Sequence, residues 1–217
     1  MKVIYENKDY VIIIKPRGVL SQMDASGEEG LVQILARELS GQIYPVHRLD
    51  RPVGGVMLYA RTKDAAARLS EADAFDKTYL AVCGGAFPDI PTAGEMEDYL
   101  YKDGAKGKSF VVKKERRGAK LARLAYELLG QTKTESGEDL FLMRIRLFTG
   151  RTHQIRVQLS SRGMPIAGDG KYGSRLKGQF ISLWSYSIRM KDGRVFTLPP
   201  EKDAYFDAFA PLIAELK

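Results

Sequence analysis

Tyr44 to Arg61 reads YPVHRLDRPVGGVMLYAR, a dense polar turn, His47-Arg48-Leu49-Asp50-Arg51-Pro52, that passes through a glycine pair into an apolar segment. Pro52 disfavours helical backbone at Arg51, and Gly54-Gly55 permit angles closed to other residues. Asp50 is therefore expected on a tight corner that feeds a strand over Val56–Ala60. An aspartate that merely closes a turn beside surface arginines would account for part of this stretch. It does not account for the concentration, because a turn needs one such residue and this one gathers a carboxylate, a histidine and two guanidiniums. Competing charges fixed on the edge of a strand mark a candidate site.

Upstream, Val3–Tyr5 and Tyr10–Ile14 read as a hairpin around Asn7-Lys8-Asp9, closed by the turn Lys15-Pro16-Arg17-Gly18. Leu31, Ile34, Leu35 and Leu39 keep helical spacing up to Gly41. Downstream, Thr62 is placed to cap a helix through Ala65, Ala66 and Leu69, and Lys77–Cys83 follows as a strand. Gly84–Gly107 is rich in turn residues and is expected to be irregular, with one short strand over Glu97–Tyr101. Ser109–Lys113 reads as a strand. Leu121–Leu129 and Asp139–Leu147 alternate as a hairpin across the loop Gly130–Glu138. Gly150 opens a helix over Arg151–Arg162 that Gly163 closes. Phe180–Met190 and Val195–Leu198 make a last hairpin around Lys191-Asp192-Gly193, and Tyr205–Leu216 a terminal helix. Strands outnumber helices and neighbours mostly form hairpins. This predicts an α+β fold with a large, mainly antiparallel mixed sheet.

The 217 residues, 44% of them hydrophobic, suffice to bury a real core. No apolar run is long enough to span a bilayer, and the charged start carries no secretory pattern, so a cytoplasmic protein is expected. The single cysteine, Cys83, excludes an internal disulfide and a cysteine-rich zinc site, and its setting in YLAVCGG reads as a buried small hydrophobe. Net charge is +7, and residues 102–123 alone hold nine lysines and arginines against Asp103 and Glu115, an excess of the same size. Within that run Lys113, Lys114, Arg116 and Arg117 are the candidate phosphate contacts. A second block, Arg144, Arg146, Arg151, Arg156 and Arg162, is expected to join it in one positive surface suited to phosphates. The alternative is a solvated lysine face that only aids solubility.

Two further stretches bear on the site. The helix read in GRTHQIRVQLSSRG sets His153 and Arg156 three apart on one face, Gln154 and Gln158 on another, and Ile155, Val157 and Leu159 toward a core. Its charged face calls for an anion, either a phosphate or Asp50. In KTYLAVC, Tyr79 and Ala81 point one way and Leu80 and Val82 the other, leaving Tyr79 open to core or site.

HRLDRPVGGV, then KTYLAV, then GRTHQIRVQLSSRGMPIAGDGKYG, in that order, resembles the RluA-like pseudouridine synthase family over about Tyr5 to Tyr186. The resemblance implies a single catalytic domain over residues 1–217, without a separate N-terminal RNA-binding module, built as two lobes around a central catalytic cleft. It implies isomerisation of uridine to pseudouridine in ribosomal or transfer RNA, on a flipped-out nucleotide, without cofactor or metal. A stacked uracil cannot detach and turn in place. Asp50 matches the family's essential aspartate, acting covalently or as a base at the sugar, and either role needs the ionised carboxylate. Arg156 matches the arginine that pairs with it. Tyr79 matches the tyrosine that packs on the base and takes part in proton transfer. Arg48 matches the arginine that fills the space the base leaves, and Ile155 the wall of the uracil pocket. Arg151, His47 and His153 are kept among the candidate substrate contacts, although both histidines read first as structural hydrogen-bonders. Many members carry Thr-Ser where this chain has Val53-Gly54. The expected partner is structured RNA, with no membrane and no obligate protein partner, and the chain is expected to be a monomer.

Other readings fit less of the sequence. Gly168–Gly173 spells G-x-G-x-x-G but follows a helix and Pro165, not a strand, so a dinucleotide fold is rejected and a loop near the site expected. A hydrolase of a nucleotide glycosidic bond would place a second acid near Asp50. A non-catalytic RNA-binding protein on the same scaffold has no use for a carboxylate facing phosphates. Trp184 and Tyr186 read as core.

Overall fold

A computed structural model gives the structure of the chain and describes residues 2–71 and 73–216. Among these residues lie eleven strands, five α-helices and one 3-10 turn, with the described strand pairs mainly antiparallel and Gly54–Ala60 parallel to Leu183–Met190, which is the α+β class the hairpins implied. The chain divides into two compact units, Met1–Lys77 with Trp184–Pro200, and Thr78–Leu183 with Glu201–Lys217.

In the first unit, β1 (Lys2–Glu6) and β2 (Tyr10–Lys15) form the expected hairpin. The Asn7 carboxamide oxygen closes its turn by accepting from the Asp9 and Tyr10 N–H groups at 2.9 Å each. β2 pairs antiparallel with β4 (Gly54–Ala60), and β4 runs parallel to β10 (Leu183–Met190) at Gly54 and Gly55. Every residue of β4 is buried. That explains its unbroken apolar sequence, since a strand covered on both faces has no reason to alternate. β3 (Tyr44–Pro45) pairs with the end of β4; two residues are too few for a periodic signal. β11 (Val195–Thr197) pairs with β10. Helix α1 (Leu31–Glu38) buries Leu31 and Leu35, and α2 (Lys63–Leu69) is capped as expected, with Thr62 Oγ1 accepting from the Ala65 N–H at 3.1 Å. The core gathers Tyr10, Ile12, Val56, Leu58, Phe75 and Ile188.

The second unit holds β5 (Phe75–Gly84) from Thr78 onward, then β6 (Ala93–Asp103), β7 (Lys108–Val112), β8 (Lys120–Lys133) and β9 (Asp139–Leu147), in the order β5-β9-β8-β6-β7. β6 is far longer than the short strand expected at 97–101. The reason is tertiary: β8 offers it continuous antiparallel partners from Glu127 to Lys120. Gly94, which weakens the local propensity, faces Tyr126, and a Cβ there would come within 3.2 Å of its hydroxyl. The second correction concerns the helix expected over residues 151–162. It is α3 (Gln154–Ser160), because His153 adopts left-handed backbone at φ 54° and leaves Arg151 and Thr152 in the preceding turn. The terminal helix is likewise two pieces, α4 (Ala204–Asp207) and α5 (Ala210–Glu215). Pro211 has no N–H to return to the Asp207 carbonyl, so α4 cannot run through it. Trp184 and Tyr186 are buried, as is Cys83, whose thiol burial pushes well above the usual range.

Candidate active site

In the first unit, the turn that carries Asp50 is fixed from both sides by buried groups. The Val53 N–H donates to the Asp50 carbonyl at 2.9 Å, which closes the corner expected from Pro52 and the glycine pair. Lys15 is fully buried, and its ammonium donates to the carbonyls of Pro16, Arg51 and Val53 at 3.0, 3.2 and 2.7 Å. Three convergent carbonyls are what a buried lysine needs in place of water. The Gly18 N–H donates to the Arg51 carbonyl at 2.8 Å, and Arg51 Nε donates back to the Gly18 carbonyl at 3.0 Å. On the other side of Asp50, the buried Ser21 hydroxyl donates to the Leu49 carbonyl at 2.8 Å and accepts from the Leu49 N–H at 3.1 Å. Gly55 at φ 122° takes β4 out of the turn, where a Cβ would stand 2.2 Å from the Ser185 carbonyl oxygen. The half-buried Asp50 carboxyl thus sits on backbone tied at each neighbour.

The residues around Asp50 take separate directions. Arg51 reaches the exposed Glu28 at 2.8 Å. Arg48 is exposed. His47 turns inward, its Nε2 accepting from the Leu58 N–H at 3.1 Å and its ring 5.4 Å from that of Phe75. Burial, aided by the charge of Lys77, pushes His47 down to about 3, so the ring is neutral near pH 7. Gly54 stands where Trp184 has its ring: a Cβ would lie 2.4 Å from Cζ3.

In the second unit, α3 presents Arg156 to the buried Asp169. Nε donates to Oδ2 at 2.7 Å and Nη2 to Oδ1 at 2.9 Å, the two-point fork that a guanidinium and a carboxylate make best. The ring of Tyr172 lies 5.0 Å from the guanidinium carbon. The Tyr172 hydroxyl accepts from the Ser109 N–H at 2.8 Å and shares a hydrogen bond with His153 Nδ1 at 2.9 Å. Tyr79 and Ile155 are buried in this unit, and exposed Arg151 donates through Nε to the Leu121 carbonyl at 2.8 Å. Gln154 and Gln158, read as a polar helix face, are buried and hydrogen-bonded to strand carbonyls. Asp169 is the residue that sequence reasoning missed. Its signal was the Gly-Asp-Gly corner, where Gly168 at φ 81° would bring a Cβ within 2.4 Å of the Phe180 carbonyl oxygen.

The two basic blocks differ in how far their charges are paired, although Arg123 of the first and Arg146 of the second lie over the same Phe148 ring. In the second, Arg144 pairs with Glu127 at 3.0 Å, Arg156 with Asp169, and Arg162 with Asp98 at 2.9 Å. Acids on neighbouring strands, invisible as partners in the sequence, neutralise much of the surface that block was expected to make. In the first, Lys113, Lys114, Arg116 and Arg117 lie exposed in the loop after β7, and among the described residues none joins a carboxylate.

A family profile described as RNA pseudouridylate synthase matches residues 9–161. An uncharacterized RNA pseudouridine synthase of Haemophilus influenzae is 31% identical over 182 residues, covering 80% of this chain and 74% of that protein. Ribosomal large subunit pseudouridine synthase D of Borreliella burgdorferi is 30% identical over 209 residues, covering 88% of this chain but 61% of that protein. The tRNA pseudouridine synthase C of Vibrio cholerae is 28% identical over 185 residues, covering 80% of this chain and 74% of that protein. Among solved structures, Human RNA Pseudouridylate Synthase Domain Containing 4 superposes with a TM-score of 0.73 over 97% of this chain and 92% of that one, at 24% identity, a likeness of fold.

Proposed function

We propose, from the premise that the chain belongs to the RNA pseudouridylate synthase family, that it isomerises uridine to pseudouridine in a structured RNA. The bond from C1′ to N1 breaks, the uracil turns, and a bond from C1′ to C5 forms, with the C5 proton lost and N1 protonated, so no cofactor or metal enters the balance. Asp50 is the essential carboxylate. The observation that carries this reading is its mounting: a half-buried aspartate on a turn that Lys15 and Ser21 fix at both neighbouring residues. A group held this way meets the reacting sugar without first having to be ordered.

Tyr79 and Arg156 act with Asp50 in the catalysis, and Ile155 lines the uracil pocket. Tyr79 packs on the base and takes part in proton transfer. Asp169 fixes the guanidinium of Arg156 in orientation, a constraint that a lone arginine on a helix would lack. Arg48 fills the space of the flipped base, Arg151 and His153 support the substrate from the turn before α3, and His47, turned inward onto the Leu58 N–H, supports it only through the backbone of the Asp50 turn. Lys113, Lys114, Arg116 and Arg117 take phosphates. Residues 1–217 serve as one catalytic domain.

The relatives are named for ribosomal and for transfer RNA, and the substrate is one of these two classes. No helix among the described residues is long and apolar enough to cross a membrane. The proposed setting is the cytoplasm, with the chain working as a monomer and without an obligate protein partner. Mapping pseudouridine across ribosomal and transfer RNA in cells lacking the protein, rescued with wild type or with Asp50→Asn, tests the proposal. A site lost on deletion and restored by wild type alone identifies the substrate. A site restored equally by Asp50→Asn removes the carboxylate from the mechanism.

A further inference from the structure

The hairpin of β6 and β7 carries three rings on one face. Tyr99 and Tyr101 alternate with buried Leu100 along β6, and the register sets Tyr101 opposite Phe110 and Tyr99 opposite Val112. The rings therefore share the side of the sheet turned away from Leu100 and the buried Ser109. All three are only partly buried.

A cation lies over each ring. The Arg116 guanidinium carbon stands 3.9 Å from the centroid of Tyr101, Lys114 Nζ 5.9 Å from that of Tyr99, and Lys106 Nζ 5.6 Å from that of Phe110. The loop is folded to achieve this. The Arg116 N–H donates to the Lys113 carbonyl at 3.2 Å and the Ala119 N–H to the Arg116 carbonyl at 3.0 Å, which turns the chain back over β6. Gly118, at φ 83°, passes beside Tyr101, where a Cβ would lie 3.7 Å from Cε2. Among the described residues neither Lys114 nor Arg116 joins a carboxylate.

A solvated lysine face has no need of rings beneath its charges. A surface that grips only phosphates has no need of them either, and a duplex hides the flat faces of its bases inside the stack. Aromatic faces interleaved with cations, Lys114 and Arg116 among them free of carboxylates, suit a strand whose bases are free to lie on the faces while its phosphates meet the charges. We propose that this face is a stacking platform for a single-stranded segment of RNA. Unpaired bases stack on Tyr101, on Phe110 and on the plane of Arg116, and Lys106 and Lys114 take the flanking phosphates. The inference rests on the isomerase reading only for the polymer being RNA.

The test titrates protein into a single-stranded, uridine-rich RNA of roughly twelve nucleotides, within the span such surfaces cover, carrying 2-aminopurine as the stacking reporter. The same sequence as a duplex is the comparison, and each titration is run at several salt concentrations. Wild type is expected to quench the reporter in the single strand and not in the duplex. Tyr101→Leu should weaken single-strand binding roughly ten- to a hundredfold, the range for loss of one base–aromatic stack. Its salt slope should be unchanged, because no cation has been removed. Arg116→Lys, which keeps the charge and loses the plane, should weaken binding at an unchanged slope, whereas Lys113→Glu with Lys114→Glu should flatten the slope. Circular dichroism confirms the fold of each variant, and Phe110→Leu replaces Tyr101→Leu if that protein fails to fold.

A folded Tyr101→Leu or Phe110→Leu that binds as wild type does would overturn the platform. So would a duplex bound as tightly as the single strand, or no binding of either RNA. The two proposals fail separately. Protein that quenches the reporter but makes no pseudouridine on transcripts sinks the isomerase reading and leaves the platform standing. Protein that makes pseudouridine without quenching does the reverse.

Discussion

Replacing Lys15 by methionine keeps the length of the side chain and removes the ammonium that ties the Asp50 turn. Of the three carbonyls it serves, that of Arg51 keeps the Gly18 N–H, while those of Pro16 and Val53 lose a buried donor. A buried acceptor left without its partner costs about 1–3 kcal/mol. Two of them cost about 2–6 kcal/mol, and what is recovered by no longer burying a charge brings the net loss to about 2–4 kcal/mol. Against a total stability of about 5–15 kcal/mol this is a large fraction. In a chain of this length it corresponds to a fall in Tm of roughly 4–16 °C. Thermal unfolding followed by circular dichroism at pH 7 measures it, with the exposed Lys8→Met as the control that should not move. A Lys15→Met protein melting within about 2 °C of wild type, against the roughly 4–16 °C expected from that scaling, would mean that water or a rearranged turn satisfies the carbonyls as well as the ammonium does. The inference that this buried lysine holds the catalytic corner would then fail.

Three other outcomes follow from the same geometry. His47, held neutral by burial with its value depressed to about 3, protonates more readily unfolded than folded, so the stability it contributes is present above about pH 6.5 and is lost as pH falls from there toward 3. Melting at pH 4.5 should show up to about 3 kcal/mol of this loss, and His47→Gln should flatten that part of the profile; an unchanged profile refutes the assignment. Gly54→Ser should destabilise the first unit by about 1–3 kcal/mol through overpacking against Trp184, and adding Trp184→Leu should recover part of it; urea unfolding that shows additive losses would contradict the shared space. Asp169→Asn removes the charge on which the buried Arg156 guanidinium forks and should cost up to about 3–5 kcal/mol, measured by the same melts; a loss below about 1 kcal/mol would show that the fork is dispensable.

The sequence made the hairpins and the corner at Asp50 legible because both rest on local rules. Asn7 and Thr62 perform the turn and cap chemistry their residue types imply, and Pro52 with the glycine pair sets the corner. Three features escaped for want of tertiary information. β6 exceeds its propensity because β8 is beside it. α3 begins late because His153 takes a backbone conformation that pattern matching does not anticipate in a histidine. The second basic block turned out to be largely paired because Glu127, Asp98 and Asp169 lie outside it in sequence and beside it in space. Lys15 and Asp169 were hidden differently. Each stood in a stretch read as a turn, and only the structure shows the buried charge that the turn serves. Gly54 gains its reason in the same way: where relatives are expected to carry a hydroxyl, this chain has the ring of Trp184.

The most direct test of the account incubates purified wild type and Asp50→Asn with unmodified ribosomal and transfer RNA transcripts, measuring pseudouridine formed and RNA bound. Wild type should convert a defined uridine, and Asp50→Asn should bind the same RNA with nearly equal affinity and form no pseudouridine. Conversion by Asp50→Asn at the wild-type rate, or none by wild type on any transcript, would contradict the claim that this carboxylate drives an isomerisation.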